Sequence, residues 1–366
     1  MTADALPQAA MRLRAWTVDS LRLWAERARS PDGSWVEHLH PDGTPDLRAE
    51  RRWRVMARQA VAYAQATQAG WLDGHDVAES SFAVFWDQGF TGTHVVHRIL
   101  PNGVVSDDRD DLYDHAFALL ACARMFSLTG EVGFLRKAER VLRYVESQQH
   151  PAGGFKEGSV RASPRRQNPH MHLLEASLAL FGATGDAAHL ALAREVVELF
   201  ERHFLDVDVV REFFTEDWAL DPERGDVVEP GHAVEWVWLL GQFDAATGEA
   251  HGDAARALYR RALHQRPVFL FDEERANGET VRETSRLWVQ TETVKAHLAM
   301  AERGEPDARA RAALTIDAML GASLRPDGTW WDQINRCGAN VASTIPTSTM
   351  YHIVLMAVEA ERVAGL

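Results

Sequence analysis

Three histidines stand in settings that suit proton transfer. In Asn168-Pro169-His170-Met171-His172-Leu173-Leu174-Glu175, a helix begun at Pro169 sets His172 and Glu175 about 60° apart on one face. His170 and His172 then fall about 200° apart, so a His-x-His metal pair, which would suit a strand, is not expected here. In Glu229-Pro230-Gly231-His232-Ala233-Val234-Glu235-Trp236-Val237-Trp238, His232 and Glu235 are again i,i+3 neighbours. A carboxylate beside an imidazole raises its pKa and fixes its orientation, which is what a general acid or base needs. His352 ends the stretch Pro346-Thr347-Ser348-Thr349-Met350-Tyr351-His352. Each has a plainer reading when taken singly: an interior hydrogen-bonded histidine for His172, a helix cap for Glu235, and a structural role for His352.

Further polar residues interrupt apolar stretches. Arg54 and Arg58 share a face in Arg51-Arg52-Trp53-Arg54-Val55-Met56-Ala57-Arg58-Gln59, and a guanidinium there can stabilise a developing oxyanion. Arg51 and Arg52 read as a solvated charged face. Tyr113-Asp114-His115 and Arg286-Leu287-Trp288-Val289-Gln290-Thr291-Glu292 offer partners for hydroxyl groups and a stacking surface. The chain has no Gly-x-Gly-x-x-Gly loop, no P-loop and no Gly-x-Ser-x-Gly elbow. Histidines without a nucleophile or cofactor motif point to acid–base chemistry, with no cofactor and no metal expected.

The elements that must carry these residues are helical. Apolar spacing near 3.6 predicts helices over 7–29, 48–70, 76–88, 111–129, 131–149, 169–184, 186–203, 229–247, 251–271, 286–303, 305–320 and 346–363. Pro169, Pro230 and Pro346 suit first-turn positions, and Gly70, Gly130 and Gly185 suit helix ends. Gly33-Ser34-Trp35, Gly153-Gly154-Phe155 and Gly328-Thr329-Trp330 read as tight turns, and Thr93 to Leu100 followed by Asn102-Gly103 has strand and turn character. Arg58, Asp114, His172, His232, Gln290 and His352 are separated by 56, 58, 60, 58 and 62 residues. That step is one helical hairpin with its loops, and each marker falls in the second helix of its pair. Six pairs closed into a ring would bring the N-termini of six inner helices to one end, where a pocket forms. An open solenoid is the rival arrangement, with the markers strung along a groove.

Composition narrows the partners. The 366 residues are 46% hydrophobic and 25% charged, so a large core can form in a single domain spanning 1–366. The net charge of −14 argues against nucleic acid or an anionic membrane and is indifferent to a neutral sugar. Most of the 12 Trp are expected in the core, with some free to stack on sugar rings. Cys122 and Cys337 do not make a disulfide framework, which fits a reducing cytoplasm. Met1 to Trp16 lacks the apolar run of a signal peptide, and no stretch is long and apolar enough to span a membrane.

Six ordered stretches, Trp53 to Gln59, Asp111 to Phe117, Asn168 to Ala176, Glu229 to Leu240, Arg286 to Glu292 and Pro346 to His352, resemble the N-acylglucosamine 2-epimerase superfamily over nearly the whole chain. That superfamily includes mannose isomerases, other aldose–ketose isomerases and cellobiose 2-epimerases. The resemblance implies an all-α (α/α)6 barrel with catalytic histidines at His172, His232 and His352. It also implies Arg58 as an essential substrate contact and Glu235 as the partner of His232. Asn168, Trp288 and Gln290 match pocket positions, and Trp53, Asp114, His115, Glu175 and Trp238 complete the expected substrate-binding set. Asn-Pro-His-Met-His, Glu-Pro-Gly-His and Ser-Thr-Met-Tyr-His look more like the mannose isomerase branch. The chain is shorter than many relatives, which suggests trimmed loops at the pocket mouth.

The expected reaction opens a pyranose and removes the C2 proton of the open aldose to give a cis-enediol. His352 is assigned as the C2 base, and His232, tuned by Glu235, as the ring-opening acid. His172 assists proton movement between oxygens, and Arg58 stabilises the enediolate. Return of the proton to C1 gives a ketose, the favoured outcome; return to C2 from the opposite face gives a 2-epimer. The expected partner is a monosaccharide, acted on by a monomer or homodimer. Two other classes stay open. An inverting glycoside hydrolase would need two carboxylates about 6.5–9.5 Å apart, from Glu175, Glu235 and Glu292, and would leave the histidines unexplained. A non-catalytic sugar-binding protein would bind without turnover.

Overall fold

Two kinds of helix are distinguished by where their apolar residues fall. In the helix Pro230–Thr247 every residue from Pro230 to Leu240 is buried. In Val132–Ser147 burial is confined to Phe134, Ala138, Val141, Tyr144 and Val145, with the charged residues facing out. A helix that is apolar all round has to lie inside, and one with a single apolar stripe has to lie outside it. The computed structural model, which describes residues 4–30, 32–159, 163–264 and 268–366, sorts them accordingly.

In chain order the helices are α1 (Leu6–Arg27), α2 (Arg54–Gln68), α3 (His75–Gly89), α4 (Leu112–Thr129), α5 (Val132–Ser147), α6 (Asn168–Thr184), α7 (His189–Leu199, continued by a π turn at Phe200–Phe204), α8 (Pro230–Thr247), α9 (Gly252–Ala262), α10 (Leu287–Glu302), α11 (Ala308–Ala322) and α12 (Thr349–Ala364). The even-numbered helices pack side by side in order, and α12 packs on α2, so the inner ring closes. This is an (α/α)6 barrel; the open solenoid is excluded. All six spacing markers lie on inner helices.

The pairing within the barrel differs from the expected hairpins. Each outer helix packs on the inner helix that precedes it, α3 on α2 through α11 on α10, while α1 packs on α12. Inner-to-outer connections are short, as at 130–131 and 185–188; outer-to-inner connections are long, as at 28–53 and 205–229. The long segments therefore all lie at the end where inner helices begin. They also explain two misplaced edges. The helix expected from 48 starts at Arg54 because Arg51–Arg52 pair with Ile99 and Arg98. Pro346 is not in a first turn but pairs with His38, and its helix starts at Thr349. The helix expected over 251–271 ends at Ala262. Residues 265–267 of that span, and Met1 to Ala3, lie outside the described residues.

The long segments are bonded to one another around the rim. His38–Leu39 pairs with Ile345–Pro346, and Arg51–Arg52 with Val96–Ile99, which turns through Asn102-Gly103 onto Val105–Asp110. Leu112 N–H donates to Glu157 O, and the Ser159 hydroxyl to Asp110. Arg165–Arg166 pairs with Phe213–Phe214, Val227–Val228 with Glu273–Arg275, and Thr284–Arg286 with Gln333–Asn335. Each of the six segments is thus joined to both neighbours, and a paired strand runs into the start of each inner helix.

The last segment is locked to the first helix by Trp330, fully buried in the Gly328-Thr329-Trp330 turn and stacked on Trp24 at 4.4 Å. Truncating this ring leaves a large cavity at the closure. Trp330→Ala is expected to cost about 3–5 kcal/mol, read from denaturant unfolding. A loss below about 1 kcal/mol would show that closure does not depend on this stack.

Candidate active site

At the N-terminal end of the inner ring lies a cavity of about 300 Å³. Its walls include Arg58 and Tyr113 from α2 and α4, Asn168 and His172 from α6, His232 and Glu235 from α8, Trp288 from α10 and His352 from α12. Arg52, Glu229, Arg286, Asp332, Pro346, Ser348 and Thr349 border its mouth. All three histidines expected from the sequence face this one space.

Each histidine is held from behind by a buried carboxylate. His172 Nδ1 lies 3.0 Å from Glu175, His232 Nδ1 3.0 Å from Glu212, and His352 Nδ1 2.8 Å from Glu292. A carboxylate can only accept, so Nδ1 carries the proton and Nε2 is left for the cavity. The i,i+3 geometry expected of His172 and Glu175 is present. For His232 it is not: its partner is Glu212, from the segment before α8, and Glu235 points to the cavity floor instead. There its carboxyl lies within 4.8 Å of His172 and Glu175 on one side and of Glu292 and His352 on the other.

The same kind of partner leaves the three histidines in two protonation states. Burial works against charge on His232, but Glu212 and then Glu229 outweigh it and hold its pKa at about 9. Burial dominates at His352; Glu292 offsets only part of it, Arg58 and Lys295 act with it, and the pKa falls to about 4. His172 is lowered by burial, with Glu175 opposing. Burial followed by the nearby Glu292 charge pushes the Glu235 carboxyl well above the usual carboxylate range, toward its protonated form. Near neutral pH the cavity presents a charged His232 and an uncharged His352, beside a carboxyl group biased toward its protonated form.

Arg58 has aromatic company. Its guanidinium lies 4.1 Å from the Phe117 ring centre and donates to Tyr113 Oη at 2.6 Å, and no carboxylate pairs with it among the described residues. Its charge is therefore available to the cavity. The Trp288 ring stands 5.2 Å from His232 and 5.9 Å from His352. It gets there because position 231 is glycine: a Cβ would meet the indole at 2.7 Å.

Five of the expected substrate contacts lie behind the wall, each with a structural task. Trp53 is buried against α3 and donates to Phe85 O. Asp114 is shared by Arg54 and His97, each at 2.6 Å. His115 accepts from Val95 N–H, donates to Asp111 O and stacks on Tyr144, and burial lowers its pKa to about 4. Gln290 ties down Leu270 by accepting from its N–H and donating to its carbonyl. Trp238 lies under Lys295, beyond the floor. Glu175 does not border the cavity either; it orients His172 and accepts from the Tyr351 hydroxyl. Arg52, read as solvated, borders the mouth, and Arg51 is buried on Ser30 and Ser34.

Sequence reasoning missed Glu212 and Asp332, which sit in irregular segments without periodicity. It also passed over a repeated pairing at the rim. The arginine at the end of the strand leading into a helix gives both its N–H and its guanidinium to an upstream carboxylate: Arg52 to Glu37, Arg166 to Glu157, Arg286 to Asp272. A metal would have to compete for its ligands here, because Glu175 already holds His172 and Tyr351 while Glu292 holds His352 and Lys295.

The family model for N-acylglucosamine 2-epimerase (GlcNAc 2-epimerase) matches residues 33–356. The chain belongs to this family. Within it, a protein of Rhizobium meliloti (strain 1021) named mannose-6-phosphate isomerase is 33% identical over 377 residues, covering 95% of this chain and 96% of that one. A D-mannose isomerase of Thermobifida fusca is 33% identical over 164 residues, or 39% of this chain and 40% of its own. The structure of cellobiose 2-epimerase from Spirochaeta thermophila DSM 6192 matches with a TM-score of 0.89 over 100% of this chain and 98% of that one, at 21% identity, a likeness of fold. The chain is a sugar isomerase or epimerase of the N-acylglucosamine 2-epimerase family.

The His232–Glu212 pair gives a direct test. In Glu212→Gln, burial acts with less opposition, and the His232 pKa is expected to fall from about 9 by more than about one unit. Histidine NMR titration reads this; an unmoved pKa would mean that Glu212 does not set the charge on His232.

Proposed function

We propose that this enzyme interconverts D-mannose, or a closely related aldose, and the corresponding ketose through a cis-enediol. The observation that carries the reading is that His352 and His232 face one cavity near the Trp288 ring, each backed by its own glutamate, with Arg58 and Lys295 beside the first and Glu229 beside the second, so that the first is biased toward a free base and the second toward an acid. Proton abstraction from carbon needs a base that is free at neutral pH, and ring opening needs an acid that still holds its proton.

His232 donates its proton to the ring oxygen as the pyranose opens and recovers one from the O1 hydroxyl, leaving the C1 aldehyde. His352 Nε2 then takes the C2 proton, the C1–C2 double bond forms, and O1 becomes an oxyanion facing the Arg58 guanidinium. His172 passes the O2 proton toward O1, and His352 returns its proton to C1 on the same face, giving the ketose. Glu235, biased toward its protonated form, donates a hydrogen bond to a sugar oxygen and adds only a minor push to the His232 pKa. A 2-epimerase uses the same groups, with His232 delivering a proton to C2 from the opposite side, and its charged state keeps that second reading in view.

Two features bear on the substrate. A 300 Å³ cavity suits a monosaccharide. At its mouth Arg286 is paired with Glu229 and Asp272, and Arg52 with Glu37, while Glu229 and Asp332 border the same space. Arginines already neutralised beside carboxylates favour an uncharged sugar over a phosphorylated one. The hydrolase alternative is disfavoured, because oxygens of Glu235 lie within 4.8 Å of those of Glu175 and Glu292, too close for the water of an inverting mechanism. No described helix is long and apolar enough to cross a membrane, and Cys122 and Cys337 are free, which suits a reducing cytoplasm.

Proton NMR with D-mannose in D2O is expected to show fructose carrying deuterium at C1. Glucose deuterated at C2 would make the enzyme a 2-epimerase, and no conversion of any monosaccharide would overturn the reading. D-mannose should be turned over with higher kcat/KM than its 6-phosphate. His352→Ala should lose about 10²–10⁴-fold in kcat. The kcat/KM profile should rise through about pH 4, as His352 loses its proton, and fall through about pH 9, as His232 does.

A further inference from the structure

Behind His352 lies a charge that the reaction itself does not use. Lys295 is fully buried on α10, one turn beyond Glu292, with its Nζ 2.6 Å from Glu292 Oε2 and 3.8 Å from the centre of the Trp238 ring. The other oxygen of Glu292 accepts from His352 Nδ1. Trp288, Glu292 and Lys295 follow one another at i, i+4 and i+7, so one helix face carries the stacking wall, the carboxylate and its counter-charge.

We propose that Lys295 is a positioning residue: its buried ammonium holds Glu292 as a carboxylate and thereby keeps the His352 imidazole uncharged, with Nε2 free toward the sugar. The inference rests on His352 being the base of the reaction proposed above. The charge balance explains the requirement. His352 is faced by Arg58 from α2, Glu235 from α8, and Glu292 and Lys295 from α10, with Glu175 of α6 reaching the same cluster through Tyr351. Glu235 is biased toward its neutral form while Glu175 and Glu292 are held as carboxylates, and Lys295 lies among all three acids. Removing the ammonium leaves a buried negative charge uncompensated, which is costly, and the cluster takes up a proton. That proton goes to His352, making it an imidazolium, or to Glu292, which then donates to Nδ1 and forces the ring proton onto Nε2. Either way the lone pair needed at C2 is lost.

The test compares wild type with Lys295→Met, of similar length and no charge, and Lys295→Arg, which keeps the charge. Imidazole ¹⁵N NMR of His352, assigned with His352→Asn, reports protonation and tautomer whether or not the sugar is turned over. In Lys295→Met the His352 proton-binding midpoint, or the switch to the Nε2–H tautomer, is expected to move up by about one pH unit or more. The acid limb of kcat/KM should follow, with KM changed less than about threefold and activity recovering at higher pH. Lys295→Arg should retain the wild-type titration. A Lys295→Met protein whose His352 titrates as in wild type overturns the proposal, even with kcat reduced at every pH. So does a Lys295→Arg protein that shifts as far as the Met variant. If Lys295→Met does not fold, the double variant Lys295→Met/Glu292→Gln, which removes both charges, is expected to fold; failure of the double as well overturns it. Wild-type protein that converts no sugar while His352 shifts as expected would overturn the function and leave the electrostatic coupling standing.

Discussion

Six helices beginning at one place create an electrostatic problem before they create a site. Each leaves about four backbone N–H groups without a helical partner, and their dipoles add to a positive end. The rim answers with acceptors. The Asp111 carboxylate takes the Tyr113 N–H and Asp272 that of the cap residue Arg286, while Glu37 and Glu157 take the N–H groups of Arg52 and Arg166 just ahead of their helices. Strands from neighbouring segments absorb others. What remains is a small polar chamber whose walls are fixed by the beginnings of helices, where side-chain direction is dictated by the first turn.

Inside that chamber, function follows from inequality among similar parts. Three imidazoles have the same carboxylate behind them, yet their surroundings differ. His232 has Glu229 as a second anion nearby, whereas His352 has Arg58 and Lys295. Opposite charge states therefore arise within one cavity from one repeated hydrogen-bond motif. The Trp288 ring separates the two and offers an apolar face between an acid and a base. Glu235 shows the same logic applied to a carboxyl: burial and the Glu292 charge outweigh Lys295 and push it toward its protonated form.

Helix existence and the inner-ring markers were legible because they rest on period and composition. His172, His232, His352, Arg58, Asn168 and Trp288 all reach the cavity. Less was legible where a residue's task depends on partners distant in sequence. Glu212 holds His232 across 20 positions and Asp332 holds Thr349 across 17, neither with helical spacing. Asp114, His115 and Gln290 look like pocket residues because they are polar on apolar helices. That pattern also marks a buried group satisfied by a loop, and only the fold separates the two. Glu292 and Lys295 were readable in principle, since α10 sets them at i and i+3, but a buried ion pair looks no different in sequence from a solvated one.

The rim has a consequence for how such enzymes diverge. Because every long segment is bonded to the one on each side, the mouth is a closed hoop rather than a set of independent flaps. No single segment can change its course across the rim without breaking hydrogen bonds to both neighbours. Grafting a new specificity onto this scaffold is therefore a matter of exchanging adjoining segments together. The tips beyond the strands, such as the Asn102-Gly103 turn, are the places where one segment can vary alone.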